Sequence, residues 1–163
     1  MVSRYISFSS FTDSVYADND GAEPSANSTT LRNLIVFDSI AHATDVTLLG
    51  INTDVADDYA QKAERLLSAF GTALKEHPTS MPDMVSSAVV REQGIKTVIV
   101  SGNGDVTSLI SDITGRLWAP DLVFVREHTE GPLAARICAG GTCGMKQTKA
   151  ADVREELKRM KSG

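Results

Sequence analysis

Three carboxylates, Asp18, Asp20 and Glu23, stand close together in the stretch YADNDGAEPSANS at residues 16–28. Paired carboxylates do general acid–base work, or bind a sugar, when a cavity keeps one protonated and leaves the other ionised. Asp20 and Glu23 are the acid–base candidates on that basis. The same loop has a second chemistry. Ser25, Asn27 and Ser28 have short side-chain oxygens that satisfy the free N–H groups of a helix's first turn. Acidic charge just before a helix complements its dipole. Spacing alone favours this capping role over catalysis.

Two cysteines form the second constellation, Cys138-Ala-Gly-Gly-Thr-Cys143. Four residues separate them, whereas a thioredoxin-type redox pair has two. A structural zinc site would need further ligands at matching spacing, and no other cysteine exists. A pair of structural thiols is the favoured reading. A disulfide across the Gly-Gly bend, and a redox or metal role for Cys138 and Cys143, stay open beside it. The histidines, His42, His77 and His128, are dispersed and read as structural. Ser101-Gly-Asn-Gly-Asp105 follows a strand pattern and opens a helix, a place that attracts phosphate. Asp105 occupies the anion's position and the loop has no Lys or Arg, so it reads as a turn with an N-cap. No metal site and no cofactor are called for.

The elements that must position these residues follow from periodicity. Apolar Leu31, Leu34, Ile35, Ile40 and Ala41 fall on one helical face, ending near Gly50 and Asn52. Asp54, with Asp57 as a capping-box partner, opens a second helix. Its stripe runs through Ala56, Tyr59, Ala60, Ala63, Leu66, Leu67, Phe70 and Leu74 to Pro78. Ser80 and Pro82 start a third helix, with Met81, Met84, Val85, Ala88 and Val89 expected inward and Gly94 as its cap. The period then changes. Lys96–Val100 and Leu122–Val125 read as strands around a helix at 106–117, a parallel strand–helix–strand unit. Ala134–Cys138 is a third short strand, and residues 150–161 form a charged final helix with Val153, Leu157 and Met160 on its apolar side. The expected class is α+β: antiparallel α-hairpins, then the small strand–helix–strand unit, a short strand and a terminal helix. Residues 1–20 are expected to be extended or partly disordered, 21–94 a helical-hairpin region, and 95–163 a small α/β region.

With 163 residues, the chain suits one domain with a core of its own. The net charge of −5 argues against nonspecific nucleic-acid binding, which needs a surplus of Lys and Arg. Residues 145–163 carry +3 against −8 for the rest, which reads as a solvated basic helix face. No apolar run has membrane-span length, and the first residues make a poor signal peptide. Few cysteines point to an intracellular, cytoplasmic setting. Neither nucleic acid nor membrane is an expected partner.

Taken together, Asp20-Gly-Ala-Glu-Pro-Ser-Ala-Asn-Ser28, Met81-Pro-Asp-Met-Val85, Lys96–Gly102 and Ile137-Cys-Ala-Gly-Gly-Thr-Cys143 resemble one family. It is the thioredoxin-domain-containing DUF255 family, that of spermatogenesis-associated protein 20 and its bacterial relatives. The resemblance is to the C-terminal end of those long proteins and runs from about Tyr16 onward. It implies a partial α/α toroid, similar to six-hairpin glycosidases, with the thioredoxin-like domain and most of the toroid absent. In a complete toroid the opening loop faces the central cavity, so Asp20, Glu23, Ser25 and Asn27 become ligand-contact candidates. The family brings no defined reaction. What it implies here is a truncated member or fragment without catalysis of its own, acting as a structural or interaction module. Its exposed helix faces would be covered in a homo-oligomer or by a partner chain. A carbohydrate-binding or carbohydrate-modifying enzyme using the loop from Asp20 to Ser28, or a thiol-redox role for Cys138 and Cys143, is the alternative.

Overall fold

A computed structural model describes residues 19–43, 53–115 and 121–161. Within them the order is α1 (Ala26–Ala43), α2 (Thr53–Glu76), a 3₁₀ turn (Pro78–Ser80), α3 (Pro82–Gln93), β1 (Lys96–Asn103), α4 (Val106–Thr114), β2 (Leu122–Pro132), β3 (Ala134–Ala139), β4 (Thr142–Cys143) and α5 (Ala150–Lys161). The class is α+β. Asp18, the expected helix end at Gly50 and Asn52, and Leu117 lie outside the described residues, as do the side chains of Asp54 and Asp57.

The centre is β1. Its residues from Lys96 to Gly102 are all buried, as expected of a β-branched run with a layer on each side. The sheet order is β2-β1-β3-β4, with β1 parallel to β2 and antiparallel to β3. Successive side chains point to opposite faces. Val98 and Val100 meet Leu109 and Ile113 of α4, Ala135 and Ile137 of β3, and Val153 and Leu157 of α5. On the other face, the Thr97 hydroxyl lies 2.7 Å from that of Ser39 on α1. Val123, directly opposite Thr97 on β2, packs into the helical core of Leu31, Ile35, Ala63, Met81, Met84, Val90 and Ile95. The sheet therefore lies between α4 and α5 on one side and the helical layer on the other.

Lys96 and Asp121 set the start of the β1–β2 pair. Lys96 N–H donates to the Asp121 carbonyl at 2.8 Å, and the ammonium meets the carboxylate at 2.9 Å with both residues buried. At the far end β2 arches over β1. Register shifts between Ser101 and Asn103, where Asn103 pairs with Pro132. The Arg126 guanidinium donates to the Val100 and Gly102 carbonyls, and Gly102 N–H donates to the Thr129 hydroxyl. This brings β3 to the opposite side of β1 after a single connecting residue, Leu133. The arch needs Gly102: a Cβ there would lie 2.0 Å from the Pro132 carbonyl oxygen, and φ is +87°.

Two expectations need correcting. Val89 points outward at 48% exposed, and the inward stripe of α3 is Met84, Ser87 and Val90. Polar Ser87 interrupts the apolar pattern and conceals the i, i+3, i+6 spacing. Met160 is also exposed, so α5 packs through Val153 and Leu157. Among the described residues no helix is long and apolar enough to cross a membrane.

Gly102→Ala is expected to destabilise the fold by about 2 kcal/mol or more, from strained φ and overpacking together. Gly71→Ala, in mid-α2 with open space around it, should instead stabilise by about 0.5–1 kcal/mol. Urea unfolding of both variants checks the contrast.

Candidate functional site

The acidic loop folds into a capping assembly. Ser25 precedes α1, and its hydroxyl oxygen accepts from Ser28 N–H at 3.1 Å. The Ser25 hydroxyl donates to the Ser28 hydroxyl oxygen at 2.9 Å. Asp20 then joins two helix starts. One carboxylate oxygen accepts from Ser25 N–H at 2.8 Å; the other accepts from Asp83 N–H at 2.8 Å and Met84 N–H at 3.4 Å, in the first turn of α3. Asp20 N–H donates to the Ser80 carbonyl. The N-cap residue of α3 itself, Met81, has no side-chain oxygen to offer, so a residue far away in sequence supplies the cap.

Burial works to raise the Asp20 pKa, but the Ser28 hydroxyl and the Ser25 and Asp83 N–H groups outweigh it and hold the carboxyl below its ordinary value. A general acid needs the opposite shift. Glu23 is exposed, and its carbonyl accepts from Gly21 N–H. Asn27 is half-buried. Beside this assembly a hollow of about 450 Å³ lies between α1 and α3, with Ser28, Arg32, Asn33, Asp83 and Ser87 in its wall. The loop thus brings Asp20, Ser25 and Ser28 together around backbone N–H groups, and leaves Glu23 in solvent.

A second hollow, of about 280 Å³, opens between the last turns of α1, the turn from α3 into β1, and the β3–β4 hairpin. Asp38, Ser39 and His42 of α1, Arg91 of α3 and Cys138 of β3 line it. His42 Nδ1 sits 2.8 Å from the Asp38 carbonyl and 3.3 Å from the Asp38 carboxylate. Arg91 pairs with Glu64 of α2 at 2.7 Å. The i, i+4 relation of Asp38 and His42 is visible in the sequence. Their meeting with Arg91 and Cys138 is not, because three separate elements converge there.

The cysteines correct the favoured reading of two thiols. Cys138 and Cys143 form a disulfide, and no described cysteine is free. The cause is register: β3 turns back through Gly140 and Gly141, both at positive φ, and places the two cysteines directly opposite each other. Among the described residues no group of three or more His, Cys, Asp or Glu is arranged to hold a metal ion.

Comparison with known proteins agrees with the family resemblance at a coarse level. Over 110 residues the chain is 26% identical to spermatogenesis-associated protein 20 of Mus musculus, 27% to that of Rattus norvegicus and 29% to that of Homo sapiens. The similarity supports a relation to that protein's family. Each match covers 66% of this chain but only 12% of the relative's length. No family model matches the chain, and no solved structure matches it.

Asp20→Ala removes caps from two helices and should cost about 2 kcal/mol at neutral pH. Because the folded pKa of Asp20 is lowered, its contribution is complete above the ordinary aspartate value and fades as pH falls through the lower folded value, from about pH 4 downward. Urea titrations at pH 7 and pH 3 should show the gap between wild type and variant shrinking.

Proposed function

We propose that this chain is a member of the thioredoxin-domain-containing DUF255 family, similar to its C-terminal region, and acts as a structural or interaction module. Catalysis of its own has no part in this reading. The observation that carries it is the state of α2. This helix has a long apolar stripe, yet Ala63 is its one buried residue among the described side chains. Leu66, Leu67, Phe70 and Leu74 are all only partly buried. Nearby Phe37 of α1 is 47% exposed, with its ring centroid 5.6 Å from that of Tyr59. Apolar helix faces left half-covered usually find a partner. The stripe recurs along one helix, so two copies can cover each other by an isologous contact. The covering surface is therefore a second copy of this chain.

The state of Asp20 weighs against carbohydrate chemistry at the acidic loop. Both of its carboxylate oxygens are engaged by backbone N–H groups, and a sugar or a leaving group would have to displace them.

Light scattering over a wide concentration range tests the module. The expected result is a mass that rises toward the dimer with concentration. Phe70→Glu should weaken the association by at least about tenfold, the scale of losing an aromatic anchor. A single monomer mass at every concentration overturns the reading.

A further inference from the structure

The Cys138–Cys143 disulfide has no part in the docking reading above, and its setting is unlike that of a structural staple. It joins residues only five positions apart in sequence. Such a link constrains the unfolded chain far less than one joining distant segments. The hairpin is also closed without it, since Gly144 N–H donates to the Ile137 carbonyl and Gln147 exchanges two backbone hydrogen bonds with Ala135.

The two sulfurs differ in access. Cys138 is 2% exposed, in the wall of the 280 Å³ hollow. Cys143 is exposed and lies on β4, the edge strand of the sheet. Met145, two residues on, is 85% exposed. Both sulfurs also face one acceptor. The carbonyl oxygen of Ala43, the last residue of α1, lies 3.8 Å from Cys138 Sγ and 3.6 Å from Cys143 Sγ. A disulfide cannot donate to that carbonyl, whereas a thiol S–H can.

From these positions we infer that Cys138–Cys143 is a thiol–disulfide exchange site for a dithiol donor, with Cys143 as the sulfur attacked and Cys138 as the sulfur that leaves. A thiolate of the donor bonds to Cys143 Sγ as the Cys143–Cys138 bond breaks. The electron pair departs on Cys138, which takes a proton from solvent and donates its S–H to the Ala43 carbonyl. The donor's second thiolate then attacks its own sulfur in the mixed disulfide and releases Cys143 as a thiolate, which is protonated in turn. Two electrons pass to the hairpin, and the donor leaves as a disulfide. Attack must come in line with the S–S bond, from the side of Cys143 opposite Cys138, and Cys143 is the exposed partner, on the edge strand β4. Attack on Cys138 would have to enter through the hollow and reach a residue only 2% exposed. Reduction also exchanges a covalent tie within the hairpin for hydrogen bonds from the hairpin to α1, so the redox state is felt at the end of that helix.

The test uses the wild-type chain under native conditions. Dithiothreitol should release two thiols with the far-ultraviolet circular dichroism unchanged, and oxidised glutathione should restore the disulfide. A short pulse of reduced glutathione, quenched with acid and mapped by peptide mass spectrometry, should place the mixed disulfide on Cys143 in at least about tenfold excess over Cys138, following exposure. Alkylation supplies a second readout: the lone thiol of C138S should react with iodoacetamide at least about tenfold faster than that of C143S. The proposal fails if the two thiols do not pair in oxidised glutathione. It fails equally if they are released only in denaturant, or if the adduct sits on Cys138. None of these results bears on self-association, so the docking reading stands or falls separately.

Discussion

Everything in this fold leans on one strand that is buried on both faces. Val98 and Val100 of β1 face the α4–α5 layer, while Thr97 faces α1. A strand with period-two alternation can serve two cores only if both faces tolerate burial. Thr97 meets that demand on its side because its hydroxyl has a partner in Ser39, and an unpaired buried hydroxyl would cost about 1–3 kcal/mol. The buried Lys96–Asp121 pair fixes where β1 and β2 begin to pair. A slip of one residue would exchange the two faces of β1, and would also part the ammonium from its carboxylate. Desolvation offsets much of that pair's attraction, so its value lies more in register than in net stability.

From β1 outward, the helical layer is organised by its N-termini. Asp20 caps α3 across more than sixty residues of sequence while Ser25 caps α1, so the two helix starts are held side by side. This is why a stretch rich in carboxylates and hydroxyls does structural work here. Asp20 and Ser25 answer backbone N–H groups at the helix starts, while Glu23 stays in solvent. A carboxylate so occupied stays ionised, and its chemistry is that of an acceptor.

The outer face of that layer is finished differently. The α4–α5 side of the sheet has fully buried residues on both of its helices, Ile113 and Val153 among them. On the other side Ala63 is the one buried residue among the described side chains of α2. Burying a leucine or phenylalanine completely contributes about 1.5–3 kcal/mol, so the half-covered stripe of α2 holds unrealised stabilisation. The exposed Cys143 belongs to a separate region, at the free edge of the sheet.

Much of the architecture was legible in the chain because it depends on local rules. The β-branched run at Lys96–Val100, the stop at Pro78, the glycine cap at Gly94 and the N-cap at Asp105 all follow from backbone preferences of single residues. The candidate sites were less legible because they depend on meetings between distant segments. Sequence identified Ser25 as a capping residue, but not that Asp20 would reach α3. It showed Cys138 and Cys143 with four residues between them, but the turn at Gly140 and Gly141 decided that they face each other. It placed Val89 inward, and packing against α1 chose the Ser87 stripe instead. Sequence determined where the helices and the starts of β1, β2 and β3 lie, since that is set within a few residues; the extension of β1 to Asn103 and of β2 to Pro132, and the short β4, came from pairing. Tertiary structure alone decided which polar groups are satisfied, which sulfur is exposed and how deeply the apolar stripe of α2 is buried, because burial and pairing are properties of contacts that no local pattern encodes.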